Sequence, residues 1–371
     1  MKKIGITGQS GFIGYHLWNY LNLKKGEFEM LSFEDDFFYN DKQFNLFVSE
    51  CDVIVHLAAL NRHDDPNQIY KKNVWLVQKL IESIEKLNKK PHIIFASSTQ
   101  ENRENPYGKS KFEGRRLFIN WSRRNNATFT GLIIPNVFGP FGVPFYNSVI
   151  STFSHLLTHN LEPKIEIDAK LNLIYIFDLV EEIYRIIKKS YNSGEYFVKP
   201  KCSMKVSEIL EKLIKFKNDY MQNLLIPDLR NRYDLFLFNT FRAYIENSFY
   251  PAKLQMHHDE RGYLFEIIRS KNMGQTYFSK TKPGITRGNH FHTRKIERFC
   301  VVKGQASIKL RKIGTNDILE YKVCGDEPSV VDMPVFYTHN ITNIGNSDLF
   351  TLFWSNELFN NEDPDTYFET V

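Results

Sequence analysis

Apolar positions in the first half of the chain follow two alternating rhythms. Short runs at 3–7, 52–59 and 91–96 have the length of strands buried on both faces. Between them, Ile13, Leu17, Trp18 and Leu21, and then the stretch 74–87, recur at the three-and-four spacing of a helix. That alternation predicts parallel strands joined by helical crossovers, an α/β Rossmann-like doubly wound sheet. From 206 to 250 the pattern is helical and rich in Leu, Ile and Phe, with a last helix expected at 233–244. Pro251 breaks it. Short apolar segments with Gly and Asn turns follow at 263–268, 275–278, 298–302, 306–310 and 319–323, the signature of an all-β antiparallel barrel. Two domains are expected, 1–248 and 249–371.

Composition narrows the classes. A chain of 371 residues exceeds one typical domain, and with 42% hydrophobic and 25% charged residues it can build ordinary cores. The net charge of +5 is modest and no basic run interleaves with aromatics, so no nucleic-acid partner is expected, although the excess suits an anionic sugar nucleotide. Cys51, Cys202, Cys300 and Cys324 show no CxxC spacing, which fits a reducing cytoplasm better than a disulfide framework. No apolar run is long enough to span a bilayer, and no apolar signal core follows Met1-Lys2-Lys3. A soluble, cytoplasmic protein without a membrane partner is the expectation.

Gly8-Gln9-Ser10-Gly11-Phe12-Ile13-Gly14 joins the first strand to the first helix. Gly8 allows a tight turn, Gly11 lets backbone approach a pyrophosphate, and Gly14 lets the helix pack against the sheet. The helix N-terminus supplies unpaired N–H groups and partial positive charge to phosphates. The second strand, 52–59, ends in Leu57, Ala58 and Ala59, small enough at its tip for a cofactor to lie close. The third runs into Ser97-Ser98-Thr99, and Tyr107-Gly108-Lys109-Ser110-Lys111 then sets a phenol and an ammonium on one helical face. An ammonium beside a phenol favours the phenolate, so Tyr107 is expected to have a lowered pKa and to exchange a proton near neutrality. Ser98 could hydrogen-bond the same substrate oxygen.

The order TGxxGxxG, His56-Leu57-Ala58-Ala59, Asn73, Ser97-Ser98-Thr99, YxxxK and Pro135-Asn136-Val137-Phe138-Gly139-Pro140 resembles the extended short-chain dehydrogenase/reductases over about residues 1 to 245. The resemblance implies NAD(P) at Gly8, Ser10, Gly11, Phe12, Ile13, Gly14, Leu57, Ala58, Ala59, Tyr107 and Lys111. It also implies a nucleotide-sugar substrate, Tyr107 as acid, Lys111 as its partner and ribose anchor, and Ser98, with Thr99 as a stand-in, as the carbonyl-orienting hydroxyl. Asn136 is expected against the sugar nucleotide. Two positions depart from the family pattern. Ser32 stands where NAD-preferring members carry an acid, with Asp35 and Asp36 only later, which tilts the expectation to NADPH. Leu171 stands where a diphosphate-binding Arg is common, and Asp178 is expected to cap the next helix.

In the second domain, His290 and His292 lie two apart on an expected strand and so face the same way, into the barrel. With Glu297 and His339 they form a donor set that suits Zn²⁺, Fe²⁺, Ni²⁺ or Mn²⁺ without choosing among them; zinc is the ion carried forward as the expected cofactor. The spacing from Gly284 through Gly304 and on through Pro334, His339 and Asn343 resembles the cupin superfamily over 252–371, except that Phe336 replaces a usual Gly. This implies a jelly-roll barrel. Asp259-Glu260-Arg261-Gly262 and Gly284-Ile285-Thr286-Arg287-Gly288-Asn289-His290 also resemble metal-free epimerases of nucleotide-linked 4-keto-6-deoxy sugars. There the His is a general base, so His290 is either ligand or base, and Arg287 would steady an enolate.

A reductase needs a ketone, and an epimerase needs the acidic C–H beside it; a 4-ketosugar supplies both. The whole arrangement resembles the bifunctional capsular polysaccharide enzymes of the UDP-N-acetyl-L-fucosamine pathway. That implies C3 epimerisation of a UDP-linked 4-keto-6-deoxy-N-acetylhexosamine by the cupin part and C4 reduction with NADPH by the other, giving UDP-N-acetyl-6-deoxy-L-talosamine. A homodimer is expected because both families commonly pair subunits. The alternatives are a reductase, dehydratase or epimerase whose cupin is structural or metal-sensing, and a non-enzymatic NADPH sensor.

Overall fold

The computed structural model describes residues 1–24, 26–260, 262–271 and 274–371. Arg261 of the Asp259–Gly262 motif lies outside the described residues. Contacts divide the chain into two compact units, Met1–Val149 with Asp168–Val206, and Ile150–Ile167 with Ser207–Val371.

The first unit contains β1 (Lys2–Thr7), α1 (Phe12–Asn22), β2 (Phe28–Leu31), α2 (Asp41–Glu50), β3 (Val53–His56), α3 (Pro66–Lys86), β4 (His92–Ser98), α4 (Pro106–Asn125), β5 (Phe129–Ile134), β6 (Asn136–Phe138), β7 (Lys170–Tyr175), α6 (Ile176–Lys189), β8 (Ser193–Phe197) and β9 (Cys202–Lys205); α5 (Val149–Thr158) leads into the other unit. The first sheet is all parallel in the order β2-β1-β3-β4-β5-β8. Its direction reverses between β1 and β3, so right-handed crossovers place helices on opposite faces. Accordingly α2, α3 and α4 pack together and α1 packs with α6. β3 is buried at every position, as its unbroken apolar run requires. Phe44, Leu80, Phe118 and Trp121, none detectably exposed, fill the core on the α3–α4 side. The expected strands and helix are present; α3 begins earlier than expected because Asp65 caps it and Pro66 opens it.

The second unit carries α7 (Val206–Phe216) and α8 (Arg232–Arg242), then β10 (Leu225–Ile226) between them in sequence, β11 (Ala252–Lys253), β12 (Met256–Asp259), β13 (Gly262–Phe265), β14 (Arg269–Ser270), β15 (Gln275–Thr281), β16 (Thr286–Phe291), β17 (Glu297–Lys303), β18 (Gln305–Lys312), β19 (Ile318–Cys324), β20 (Ser329–Met333), β21 (Tyr337–Asn343), β22 (Leu349–Ser355) and β23 (Tyr367–Phe368). Two five-stranded antiparallel sheets result, β11-β20-β17-β22-β15 and β19-β18-β21-β16-β23. Phe299, Val331 and Leu349 from the first and Ile308, Leu310 and Ile341 from the second share one apolar cluster. Four of the five expected β segments lie on strands of these two sheets, and 263–268 overlaps β13, which pairs with β12 in a separate two-stranded sheet.

The expected boundary at 248/249 falls inside this unit. Tyr220 Oη donates to Asp332 Oδ2 at 2.6 Å, Arg298 Nη1 donates to the Leu224 carbonyl at 3.0 Å, and Arg242 Nη2 donates to that of Met333 at 3.0 Å. These buried polar ties join the 207–250 helical segment to the sheets, and a hydrophobic pattern does not display them.

Candidate functional site

At the carboxyl ends of β1, β3 and β4, where the strand order reverses, a cavity of about 950 Å³ opens, the expected ligand position in such a sheet. Gly8, at φ +70, turns so tightly that a Cβ there would sit 2.8 Å from the Ala58 nitrogen. At Gly14 a Cβ would sit 2.2 Å from the Gly8 carbonyl oxygen, so this glycine seats the helix on the turn itself rather than on the sheet. Gly11, the α1 N-cap, donates its N–H to that same oxygen at 3.1 Å, leaving the first N–H groups of α1 directed at the cavity. Ser10, Phe12, Ile13, Leu57, Ala58 and Ala59 complete this wall.

Ser98, Tyr107, Lys111 and Asn136 line the same cavity. Thr99 is exposed and is not among its lining residues, so the stand-in for Ser98 is not brought to the site. Ser98 Oγ accepts the Gln100 N–H at 3.2 Å, which leaves its own proton free to donate. Asn105 caps α4 by accepting from Gly108 at 2.7 Å, fixing the helical turn that carries Tyr107. Asn73, buried in α3, accepts from Leu60 N at 2.7 Å and donates to Ser110 Oγ at 3.0 Å, tying the cavity wall to α4. His56 is a support rather than a reactant. Its Nδ1 meets Thr7 Oγ1 at 2.7 Å, and burial pushes it down to about 3, so it stays neutral.

The electrostatics correct one expectation. Lys111 Nζ donates to the Ala96 carbonyl at 2.9 Å and stands 5.7 Å from the centre of the Tyr107 ring. Burial, seconded by Tyr146, pushes the Tyr107 phenol up to about 12, and burial pulls Lys111 down to about 8 against the pull of Glu101. The ammonium therefore does not produce a phenolate here. The phenol keeps its proton at neutral pH and can donate it.

Beneath the site, Ser97 donates to Glu101, whose two oxygens are held by Arg115 at 2.8 and 2.7 Å. Asp35, not Ser32, reaches the cavity, and Ser10 Oγ donates to it at 3.4 Å. Asp35 stands four residues beyond the end of β2, and the turn Asp35–Tyr39 folds it back. Tyr146 and Lys72, also in the lining, carried no sequence signal.

In the second unit, His290, His292, Glu297 and His339 converge, with one donor atom from each within 4.8 Å of the others. Glu297 Oε2 lies 3.1 Å from His292 Nε2, 3.3 Å from His339 Nε2 and 4.0 Å from His290 Nε2. Among the described residues the first two nitrogens are buried and face only the Glu297 carboxylate and the other imidazoles, while each ring's Nδ1 donates to a carbonyl, Asp365 at 2.5 Å and Tyr337 at 3.1 Å. In the neutral rings two lone pairs are then aimed at one point beside a carboxylate, the arrangement a divalent metal needs; in the charged rings the same nitrogens donate to Glu297. Burial works against the Glu297 charge, but the three imidazoles outweigh it and hold the carboxyl well below the usual range. Arg287 pairs with the inward-facing Ile341, as His290 pairs with His339, so both face inward. The Arg287 guanidinium donates to Thr281 Oγ1 at 3.0 Å. The Phe336 backbone sits at φ 61, the left-handed conformation that the usual Gly would take more easily.

Residues 4–198 match the NAD dependent epimerase/dehydratase family, and residues 257–367 match the polysaccharide biosynthesis C-terminal domain. The chain is 30% identical over 369 residues, 98% of each protein, to the UDP-2-acetamido-2,6-beta-L-arabino-hexul-4-ose reductase of Pseudomonas aeruginosa. The crystal structure of the capsular polysaccharide assembling protein CapF from Staphylococcus aureus is similar over 100% of both chains, with a TM-score of 0.64 and 33% identity. RMD from Pseudomonas aeruginosa, solved with NADPH, shares the fold at 19% identity and a TM-score of 0.52, over 58% of this chain and 82% of its own. With residues 4–198, more than half of the chain, matched by one family and a 30% identical relative along almost its whole length, this chain belongs to the NAD dependent epimerase/dehydratase family.

Proposed function

We propose that this chain is a bifunctional nucleotide-sugar enzyme of capsule or O-antigen synthesis. Its first unit reduces C4 of a UDP-linked 4-keto-6-deoxy-N-acetylhexosamine with NADPH. Its second, a cupin, epimerises C3, and the product is UDP-N-acetyl-6-deoxy-L-talosamine. The observation that carries the reading is one cavity holding the glycine turn, Ser98, Tyr107 and Lys111 together. The names of the two full-length relatives support the substrate class and the capsular setting.

NADPH, when bound, supplies the hydride for C4. The chain's own part is to receive the nucleotide phosphates at the α1 N-terminus, orient the ketone through the Ser98 hydroxyl, and give the Tyr107 proton to O4 as negative charge develops there. Lys111 holds a ribose hydroxyl, and Asn136 lies against the sugar nucleotide. In the cupin, His292, Glu297 and His339, with His290 in the state where it is not the base, would hold a divalent metal, zinc being one ion the donors suit, which when bound would supply Lewis acidity to the ketone oxygen. His290, with a side chain 26% exposed, is the least buried of the three imidazoles, and in the state where it is not a ligand it would take the C3 proton, with Arg287 beside the resulting enolate. Dehydratase chemistry is less well supported, because Glu101, the carboxylate bonded to Ser97 at this strand end, is occupied by Arg115.

The test gives the purified chain that ketosugar and NADPH in deuterated water and follows nicotinamide absorbance and product by NMR. Oxidation of NADPH with deuterium at C3 is expected. No oxidation removes the reductase assignment. Deuterium entry that survives His290→Asn removes the catalytic role of the cupin.

A further inference from the structure

The tight turn between the strand bearing His290 and the strand beginning at Glu297 is held from outside the cluster by one residue near the end of the chain. Asp365 is 1% exposed and sits at φ 42, a left-handed backbone that aspartate tolerates better than most residues. Its Oδ1 accepts from Thr293 N at 3.0 Å and from Thr293 Oγ1 at 2.6 Å. Its Oδ2 accepts from Arg294 N at 2.9 Å and Lys295 N at 2.8 Å. Its own carbonyl accepts the His292 Nδ1 proton at 2.5 Å. The flanking residues repeat the grip: Lys295 Nζ donates to the Pro364 carbonyl at 2.5 Å, and Arg294 Nη1 donates to Asp363 Oδ1 at 3.0 Å. Just beyond, Tyr367 stacks on Phe291 with ring centres 5.4 Å apart, and β23 pairs with β16.

We propose that Asp365 is a positioning residue for the metal site: its carboxylate sets the 293–295 turn, and with it the spacing of His292 from Glu297, while its carbonyl sets the His292 tautomer. Three consecutive N–H groups converging on a buried carboxylate fix the turn with charge-assisted bonds, stronger than neutral ones. A carbonyl acceptor at Nδ1 keeps the proton there and leaves the Nε2 lone pair facing Glu297 and His339. The inference rests on reading the four side chains as a metal site, so its test separates the two.

Zn²⁺ affinity of the full chain is measured by chelator competition, with circular dichroism and NADPH affinity as controls for folding. Asp365→Ala is expected to weaken Zn²⁺ binding about 10–100-fold and to change the visible spectrum of the Co²⁺-substituted site, with NADPH affinity unchanged. Thr293→Val, which removes one of the four donors, is expected to weaken Zn²⁺ binding severalfold, and it carries the test if the alanine variant does not fold. Wild-type Zn²⁺ affinity in the folded variants overturns the proposal. If the wild-type chain takes neither Zn²⁺ nor Co²⁺, it is the metal reading that fails. The positioning role is then decided by ¹⁵N NMR of labelled histidines: because Asp365→Ala keeps the backbone carbonyl, a shifted His292 Nε2 resonance in that variant supports displacement of the ring by the lost carboxylate, and wild-type His292 shifts overturn it.

Discussion

Replacing Lys111 with Met should separate what this side chain does for catalysis from what it does to stability. The ammonium is 4% exposed and its pKa is held at about 8, against 10.5 for a free lysine, chiefly by burial. At about 1.4 kcal/mol per tenfold change in proton affinity, keeping it charged at neutral pH costs the fold roughly 3 kcal/mol. The native chain releases this proton near pH 8, while the unfolded chain keeps it to about 10.5. Unfolding therefore takes up a proton between those values, and the wild type gains stability as pH rises through that window. Methionine removes the charge and nearly matches the shape, but it leaves the Ala96 carbonyl without its 2.9 Å donor, a loss of about 1–2 kcal/mol. Lys111→Met should then be about 1–2 kcal/mol more stable than wild type at pH 7, lose that advantage by about pH 10.5, and reduce the ketosugar about 100-fold more slowly or worse. Urea unfolding followed by tryptophan fluorescence suits the purpose, because Trp18, Trp75 and Trp121 all lie in the first unit. A variant less stable than wild type by about 2 kcal/mol at pH 7, or a wild-type-minus-variant difference that stays flat from pH 8 to 10.5, would refute the reasoning.

Tyr107→Phe should lower kcat by about 10²–10⁴ and leave NADPH affinity within about threefold. With the phenol at about 12, the wild-type rate should decline above about pH 8 with Lys111 and show no separate phenol limb below pH 10, which stopped-flow pH profiles will reveal. Gly14→Ala forces a Cβ to within 2.2 Å of the Gly8 oxygen, so calorimetry should find dinucleotide affinity reduced more than about tenfold, together with a lower Tm. Asp35→Asn should improve KM for NADPH relative to NADH by about fivefold, because a carboxylate at the cavity edge repels a 2′-phosphate by about 1 kcal/mol at surface dielectric; an unchanged ratio places that phosphate elsewhere. Asp332→Asn leaves Arg298, bonded to it at 2.8 and 2.9 Å, as a buried charge without a counter-ion, and should cost about 3–5 kcal/mol in denaturant unfolding of the second unit.

The parts of this molecule that were legible in its sequence are those where one residue type fits one local geometry. The glycine turn, the strand ending at Ser98, the Tyr107/Lys111 pair and the HxH strand all depend on short-range spacing, and each stands where that spacing placed it. What was not legible depends on long-range contact. Asp35 enters the cavity only because a turn of 3₁₀ helix folds it back toward Ser10. Asp365 is 73 residues from the imidazole it orients. The helices after Ser207 join the β unit through Tyr220, Arg242 and Leu224, whose ties are single hydrogen bonds to buried partners. The expected lowering of the Tyr107 pKa failed for the same reason. Helical spacing shows that a lysine shares the phenol's face, but not that the lysine is bonded to a carbonyl or how deeply both are buried.

The sign of that failure bears on the direction of the reaction. A dehydrogenase site that oxidises an alcohol needs a base, and a phenol near 12 is a poor one at neutral pH. A site that reduces a ketone needs a proton ready to be given, and burial of Tyr107 keeps it there. Two neighbouring groups point the same way. His56 is held neutral beside Thr7, and Glu101 has both oxygens engaged by Arg115, so neither can take a proton from substrate in place of the phenol. Lys111, charged at pH 7 but near its own pKa, remains positive while negative charge grows on the substrate oxygen. A protonated donor beside a hydroxyl that can orient a carbonyl is what the proposed reduction of a ketone asks of the first unit.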